Sequence, residues 1–287
     1  MRRVIGRVVA LFAAILLVLG LGSAPAAADP RDFCLAHMQK VLAVAAKIKA
    51  HNARSGSVNR RSAASVAAYN ASATKLNAEK TKVAKAAQNC LDAIRDLADE
   101  RTGSPELKKP TAEREKAIDT ARKALPNTWT PPPRPTSTAQ NWPAPSDANG
   151  RKLYDSLRSH NPGELGNVTL RGRPRPKVGD TDDAYPGLTI GAKRNGDPRV
   201  TPDHIIPLTE IMQMKGFLQL TPRNMFAVTR APLNYQWLSI KANLSKQSRS
   251  VGGMSGVNKK WQDDQIKLAD EVRPKLEALI QKLLASQ

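Results

Sequence analysis

Asp203-His204-Ile205-Ile206-Pro207-Leu208 is followed, thirty-one residues after the Asp, by Asn234-Tyr235-Gln236-Trp237-Leu238; nine residues beyond Asn234 comes Asn243-Leu244-Ser245-Lys246. Hydrolysis of a phosphodiester needs an activated water, charge relief on the phosphate and help for the departing oxygen, and a divalent metal supplies the last two. Asp203 is a hard oxygen ligand suited to magnesium or manganese, and Asn243 adds a neutral carbonyl oxygen. If Asn243 opens a helix packed under the β-prone run Arg199–Ile206, both oxygens face one ion. His204 alternates to the other face of that strand. It therefore approaches a phosphate without holding the metal, as a general base should near neutral pH. Lys246, three residues after Asn243, shares its helix face and is expected to hold a substrate phosphate.

These residues resemble the HNH, or ββα-metal, nuclease superfamily. Its pattern is Asp/Glu-His with a hydrophobic pair and Pro, then Asn-x-Gln-x-Leu, then Asn-x-x-Lys nine residues after the first Asn. The resemblance covers Arg199 to Lys246. It implies that His204 activates water, that Asp203 and Asn243 bind the metal, and that Asn234 tethers the loop so that the His204 ring is aimed. It also implies two antiparallel strands, roughly 199–206 and 235–238, and a helix from about 240 to 248. The chain departs from the pattern in four places. The His204 to Asn234 gap is long, which makes 209–230 an inserted helical excursion. Ser239 and Ala242 stand where many members carry a zinc-binding CxxC, so no structural zinc is expected. The last motif position is Asn rather than His, and Gln247 stands where relatives often have Gly. Asn224, ten residues before Asn234, competes for the middle position, but only Asn234 brings Gln236, Leu238 and Lys246 into register.

Outside this stretch the chain is basic, with 45 Lys+Arg, 25 Asp+Glu and a net charge of +20. Residues 1–28 read as an export signal: Arg2, Arg3 and Arg7, an apolar run over Val8 to Leu21, and Ala26-Ala27-Ala28 as the cleavage site. The run is short for a membrane span and is interrupted by Gly20, Gly22 and Pro25. Cleavage removes three of the basic residues and no acid, leaving +17. Such an excess favours polyanions, whether nucleic acid or an anionic cell wall. The two cysteines, Cys34 and Cys90, are expected to form one disulfide in an oxidising compartment.

The fold class expected is α+β. An N-terminal antiparallel helical hairpin or bundle (29–125) carries the disulfide, a Pro-rich linker spans 126–148, and an HNH-like domain with extra helices fills 149–287. Cys34, Met38, Val41, Ala45 and Ile48 make one coiled-coil seam. Val66, Tyr69, Ala73, Leu76, Val83, Ala87, Cys90, Ile94 and Leu97 make another, broken at Lys80. An antiparallel turn near 51–62 brings the two cysteines together. A third helix, about 112–125, starts at Thr111 with Glu113 and Glu115 near its positive end. In the last part a helix is expected over Thr209–Leu220, another from Thr221-Pro222, and a long one from Val257 to Ala285 with a kink at Pro274.

Other residues carry weaker signals. Arg171 and Arg173, with Arg175 and Lys177, are placed as phosphate contacts on a basic loop. Asp180, Asp182 and Asp183 read as a solvated acidic loop, Trp261 as core, and His37 and His51 as seam or surface residues; His160 has no evident partner. The expected function is a secreted endonuclease cleaving DNA, with Mg2+ or Mn2+ as cofactor and 3′-hydroxyl and 5′-phosphate ends. An RNA substrate stays open, as does an immunity protein as partner if the chain is an effector. The alternative is a non-catalytic, basic envelope- or nucleic-acid-binding protein with a degenerate nuclease domain.

Overall fold

The computed structural model describes residues 30–97, 110–159, 161–162 and 165–287. The export-signal segment 1–28 and His160 lie outside the described residues. Two helices open the fold, α1 (Pro30–Ala53), extended by a 3-10 turn over Arg54–Ser57, and α2 (Ala63–Leu97). They pack antiparallel, with Cys34 early in α1 bonded to Cys90 late in α2 at a Cα separation of 5.9 Å. Of the expected seam, Cys34, Val41, Ala87, Cys90 and Ile94 are buried, and Val44 and His51 join them; the Leu97 side chain lies outside the described residues. His51 stacks on Tyr69 at 4.1 Å between ring centroids. The disulfide closes a sequence separation of 56 residues, so the Cys34→Ser, Cys90→Ser protein should lose about 2–4 kcal/mol of stability. Chemical unfolding of the oxidised and double-serine proteins checks this, and coincident curves would contradict it.

Helix α3 (Ala112–Lys123) starts where the sequence places it: the Thr111 hydroxyl accepts from Arg114 N, and Glu113 and Glu115 occupy the first turn. Of the Pro-rich segment expected over 126–148, residues 126–147 form neither helix nor strand, with turns near 127–128 and 136–140, and they dock on the rest of the chain. Its composition lacks a core of its own, yet Trp142 is buried. The Trp142 carbonyl accepts from Ser248 Oγ at 3.1 Å, Asn141 Nδ2 donates to Gln247 Oε1 at 2.7 Å, and Gln213 donates to the Pro132 carbonyl. Helix α4 (Ala148–Arg158) follows, capped by Asp147.

Two small antiparallel sheets come next. The first pairs β1 (Thr181–Asp182) with β2 (Tyr185–Thr189). The second pairs β3 (Val200–His204) with β4 (Tyr235–Ser239), in the register Val200↔Ser239, Asp203↔Gln236, His204↔Tyr235. Pro202 sits inside β3 without breaking it, because each strand of a two-stranded sheet is an edge. Between these strands run α5 (Leu208–Gln213), a 3-10 turn over Phe217–Gln219, and α6 (Pro222–Thr229), capped by Thr221. The single helix expected over Thr209–Leu220 is thus two pieces. The first piece ends where Met214 turns extended at ψ 137; Gly216, at φ 87, then opens the 3-10 turn, and a side chain there would collide with Leu284.

After β4 the chain turns directly into α7 (Ile240–Lys246), with Ser239 Oγ accepting from Ala242 N at 3.0 Å. The last helix, α8 (Lys259–Ser286), runs through Pro274. Proline has no N–H, so the Asp270 carbonyl loses its helical partner there. One core joins the two ends of the chain: Cys34, Cys90, Ile94 and Ile118 cluster with Leu153, Ile206, Phe217, Met225, Val272, Leu276 and Ile280. Trp261 is buried in a smaller cluster with Leu238, Ala242 and Met254, as its reading as core requires. Among the described residues no helix is long and apolar enough to cross a membrane.

Candidate active site

The antiparallel pair β3–β4 and helix α7 bring Asp203, His204, Asn243 and Lys246 onto the wall of one cavity of about 450 Å³. Asn234 does not line it. It lies underneath, 1% exposed, with Oδ1 accepting from Ile206 N at 2.8 Å and Nδ2 donating to Ile206 O at 3.0 Å. This two-point clamp, with Ile205 N donating to Asn234 O at 2.8 Å, fixes the backbone just after His204. Asn234 therefore holds the main chain two residues beyond His204. Asn234→Ala strands both polar groups of Ile206 in a buried setting and should cost about 1–3 kcal/mol. Thermal unfolding tests it, and an unchanged midpoint would contradict the clamp. The rival Asn224 sits on α6 and bonds to Gln287 at 3.2 Å.

The His204 ring packs against Tyr235 at 4.9 Å, and its Nε2 lies 3.0 Å from the Thr229 carbonyl. A carbonyl only accepts, so Nε2 carries the proton and Nδ1 keeps the lone pair. Thr229 ends α6, and its carbonyl is one of those a helix leaves without an internal partner. Asn161 Nδ2 donates to the same oxygen at 2.9 Å, and Asn161 Oδ1 accepts from the Tyr235 hydroxyl at 2.6 Å. Burial pushes the imidazole pKa down to about 4, against the opposing pull of the Thr229 carbonyl and Asp203. Burial likewise raises the Tyr235 phenol well above its ordinary value. At neutral pH the site therefore presents a neutral imidazole with Nδ1 as acceptor.

Asp203 is 7% exposed, and its Oδ2 meets Lys246 Nζ at 3.0 Å and Gln236 Nε2 at 3.4 Å. Lys246 is itself 2% exposed and donates to the His204 carbonyl at 2.8 Å. It faces Asp203 rather than the solvent. Three residues after Asn243 on a short helix, it reaches back under β3 instead of outward. Asp203 Oδ1 is engaged by no described residue, and Asn243 is half-buried beside it on the cavity wall. One free carboxylate oxygen and one amide oxygen, with room for water, fit a small hard cation. Among the described residues no group of three or more His, Cys, Asp and Glu side chains is arranged to hold a metal ion, so such an ion would rest on these two oxygens and water.

Arg171 and Arg173 are not brought to this cavity. They line a second one, of about 380 Å³, beside Trp237 and Trp261. Arg171 pairs with Glu271 at 3.1 Å, and Arg173 pairs with Asp183. Acidic partners on α8 and on the loop before β2 take up the charge expected to meet phosphate. The acidic loop is occupied too: Asp180 accepts from Lys177 N at 2.7 Å and Asp182 from Ala184 N at 3.0 Å. Sequence reasoning missed Arg158, an exposed cation at the end of α4 that does line the His204 cavity together with Tyr154 and Asn161. No local signal marks it, because it lies 45 residues before Asp203. Gln247, which departs from the Gly frequent at that place of the resembled pattern, has φ 53. No protein-family model, curated protein or solved structure matches the chain.

Proposed function

We propose that the chain is a metal-dependent endonuclease of the HNH type, exported from the cell, that hydrolyses phosphodiester bonds in DNA. The observation that carries this reading is the His204 ring, held by the Thr229 carbonyl at Nε2 so that Nδ1 is the free base, on the same cavity wall as Asp203 and Asn243. Asp203 Oδ1 and the Asn243 side-chain oxygen would hold one Mg2+ or Mn2+. When bound, that ion supplies charge relief on the phosphate and on the departing oxygen. His204 Nδ1 takes the proton of the attacking water, and Nε2–H keeps the ring aimed through Thr229. Asn234 holds the turn rigid. Lys246 neutralises the inner oxygen of Asp203, and Arg158 is the cation placed to meet a substrate phosphate.

The Lys246–Asp203 ion pair favours a second reading, a degenerate domain that binds polyanions without cutting, because the lysine already balances the only carboxylate among the described residues of the cavity wall. Supercoiled plasmid incubated with the protein separates the two. Nicking with Mg2+ or Mn2+, stopped by chelator and leaving 3′-hydroxyl and 5′-phosphate ends, supports the nuclease. Retention of plasmid without cutting in every divalent metal supports the binding protein. An anionic cell-wall polymer and, for an effector, an immunity protein are the further partners this reading allows.

A further inference from the structure

The helical hairpin carries a charge asymmetry that the His204 site does not use. From Lys40 to Lys85 the sequence holds ten Lys and Arg residues and one acid, Glu79. Lys40, Lys47 and Arg54 recur every seven residues along α1 and its 3-10 extension, which places them on one stripe at intervals of roughly 10 Å. On α2, Lys75 and Lys82 lie four residues before and three after Glu79, on its face of the helix. Lys47 Nζ meets Glu79 Oε1 across the hairpin at 2.8 Å, so the two stripes lie side by side. Because the helices run antiparallel, Lys82 falls level between Lys40 and Lys47, and Lys75 between Lys47 and Arg54. All five side chains are exposed. The result is a staggered double row of cations roughly 20 Å long, with one acid to balance five charges.

We infer that this face of the hairpin is a second, sequence-independent contact for the sugar-phosphate backbone of duplex DNA, holding the polymer while the His204 cavity acts on it. The choice of duplex DNA rests on the phosphodiesterase reading; the double row itself does not. Fixed like charges repel one another unless a polyanion lies across them, and a duplex offers phosphates along two strands. A protein that neutralises five phosphates should show a salt dependence steeper by roughly 4 in the slope of log affinity against log salt than one lacking those contacts.

The test uses the full mature chain in chelator, so that binding is read without cleavage. Affinity for a long duplex is measured by fluorescence anisotropy across a range of salt for the wild type and for the Lys40→Gln, Lys47→Gln, Arg54→Gln, Lys75→Gln, Lys82→Gln variant. The expected result is a slope shallower by roughly 4 and an affinity roughly tenfold or more lower at moderate salt. Far-UV circular dichroism should be unchanged. Should the quintuple variant lose helicity, the Lys40→Gln, Lys47→Gln and Lys75→Gln, Lys82→Gln pairs replace it, each expected to lower the slope by roughly 2. Equal affinity and slope in the folded variants overturns the inference, as does retention by an anionic wall polymer with no binding to DNA. Loss of DNA binding in the variant, beside a wild type that cuts in no metal, would keep the hairpin contact and remove the nuclease reading.

Discussion

Plasmid nicking by the His204→Ala protein is expected to fall by about 10²–10⁴-fold, the usual contribution of a positioned general base, with the fold retained. Among the described residues of the cavity wall, the ring offers at Nδ1 a lone pair suited to a water proton at neutral pH, because Nε2 is committed to the Thr229 carbonyl. Its pKa of about 4 also fixes a pH signature. An unfolded histidine titrates near about 6.5. Between those two values the unfolded chain binds a proton that the folded chain does not. Stability of the metal-free protein therefore rises with pH across that window, by up to about 1.4 kcal/mol per unit. It is lost as the solution is acidified from about pH 6.5 towards pH 4. His204→Ala should flatten this dependence as well as lower nicking. Undiminished cleavage by the variant would remove His204 from the mechanism.

Lys246→Met is expected to cost about 3–5 kcal/mol, since it leaves the Asp203 carboxylate buried without its counter-charge. Lys246 Nζ binds both Asp203 Oδ2, at 3.0 Å, and the His204 carbonyl, at 2.8 Å, so the loss is felt at both residues of the motif. In the Lys246→Met protein a divalent ion can take the place of the lost counter-charge. Mg2+ or Mn2+ should therefore stabilise this variant more than it stabilises the wild type. Adding Asp203→Asn to Lys246→Met should restore part of the stability, because the unpaired charge is then gone. Strictly additive losses in that double-mutant cycle would show that the two side chains do not act on one another.

The hairpin was legible because two independent signals coincide there: the apolar seams set an antiparallel pair, and Cys34 and Cys90 need the same pairing. The β-strand, β-strand, helix order around the motif was implied by the family resemblance; the residues themselves marked only the β-prone run 199–206, where β3 lies. What the sequence hides is long-range or backbone-mediated. The acceptor that aims His204 is a main-chain carbonyl at the end of α6, inside the stretch read as an inserted excursion. Helical spacing puts Lys246 on the face of Asn243, but it does not say whether that face looks inward. Arg158 reaches the cavity through the packing of α4, and Arg173 is lost from it through a partner, Asp183. The Pro-rich segment docks because Trp142 finds a buried place against Ser248, a contact no composition rule contains.

Cleavage assays can be misled by traces of other nucleases, whereas metal occupancy at Asp203 belongs to this chain alone. The deciding measurement is Mn2+ binding, followed by electron paramagnetic resonance, in the wild type and in the Asp203→Asn and Asn243→Ala proteins. The account predicts one ion per chain in the wild type, none in Asp203→Asn, and weaker binding in Asn243→Ala. A wild type that binds no Mn2+, or an Asp203→Asn protein that binds it as tightly as the wild type, would contradict the assignment of the site.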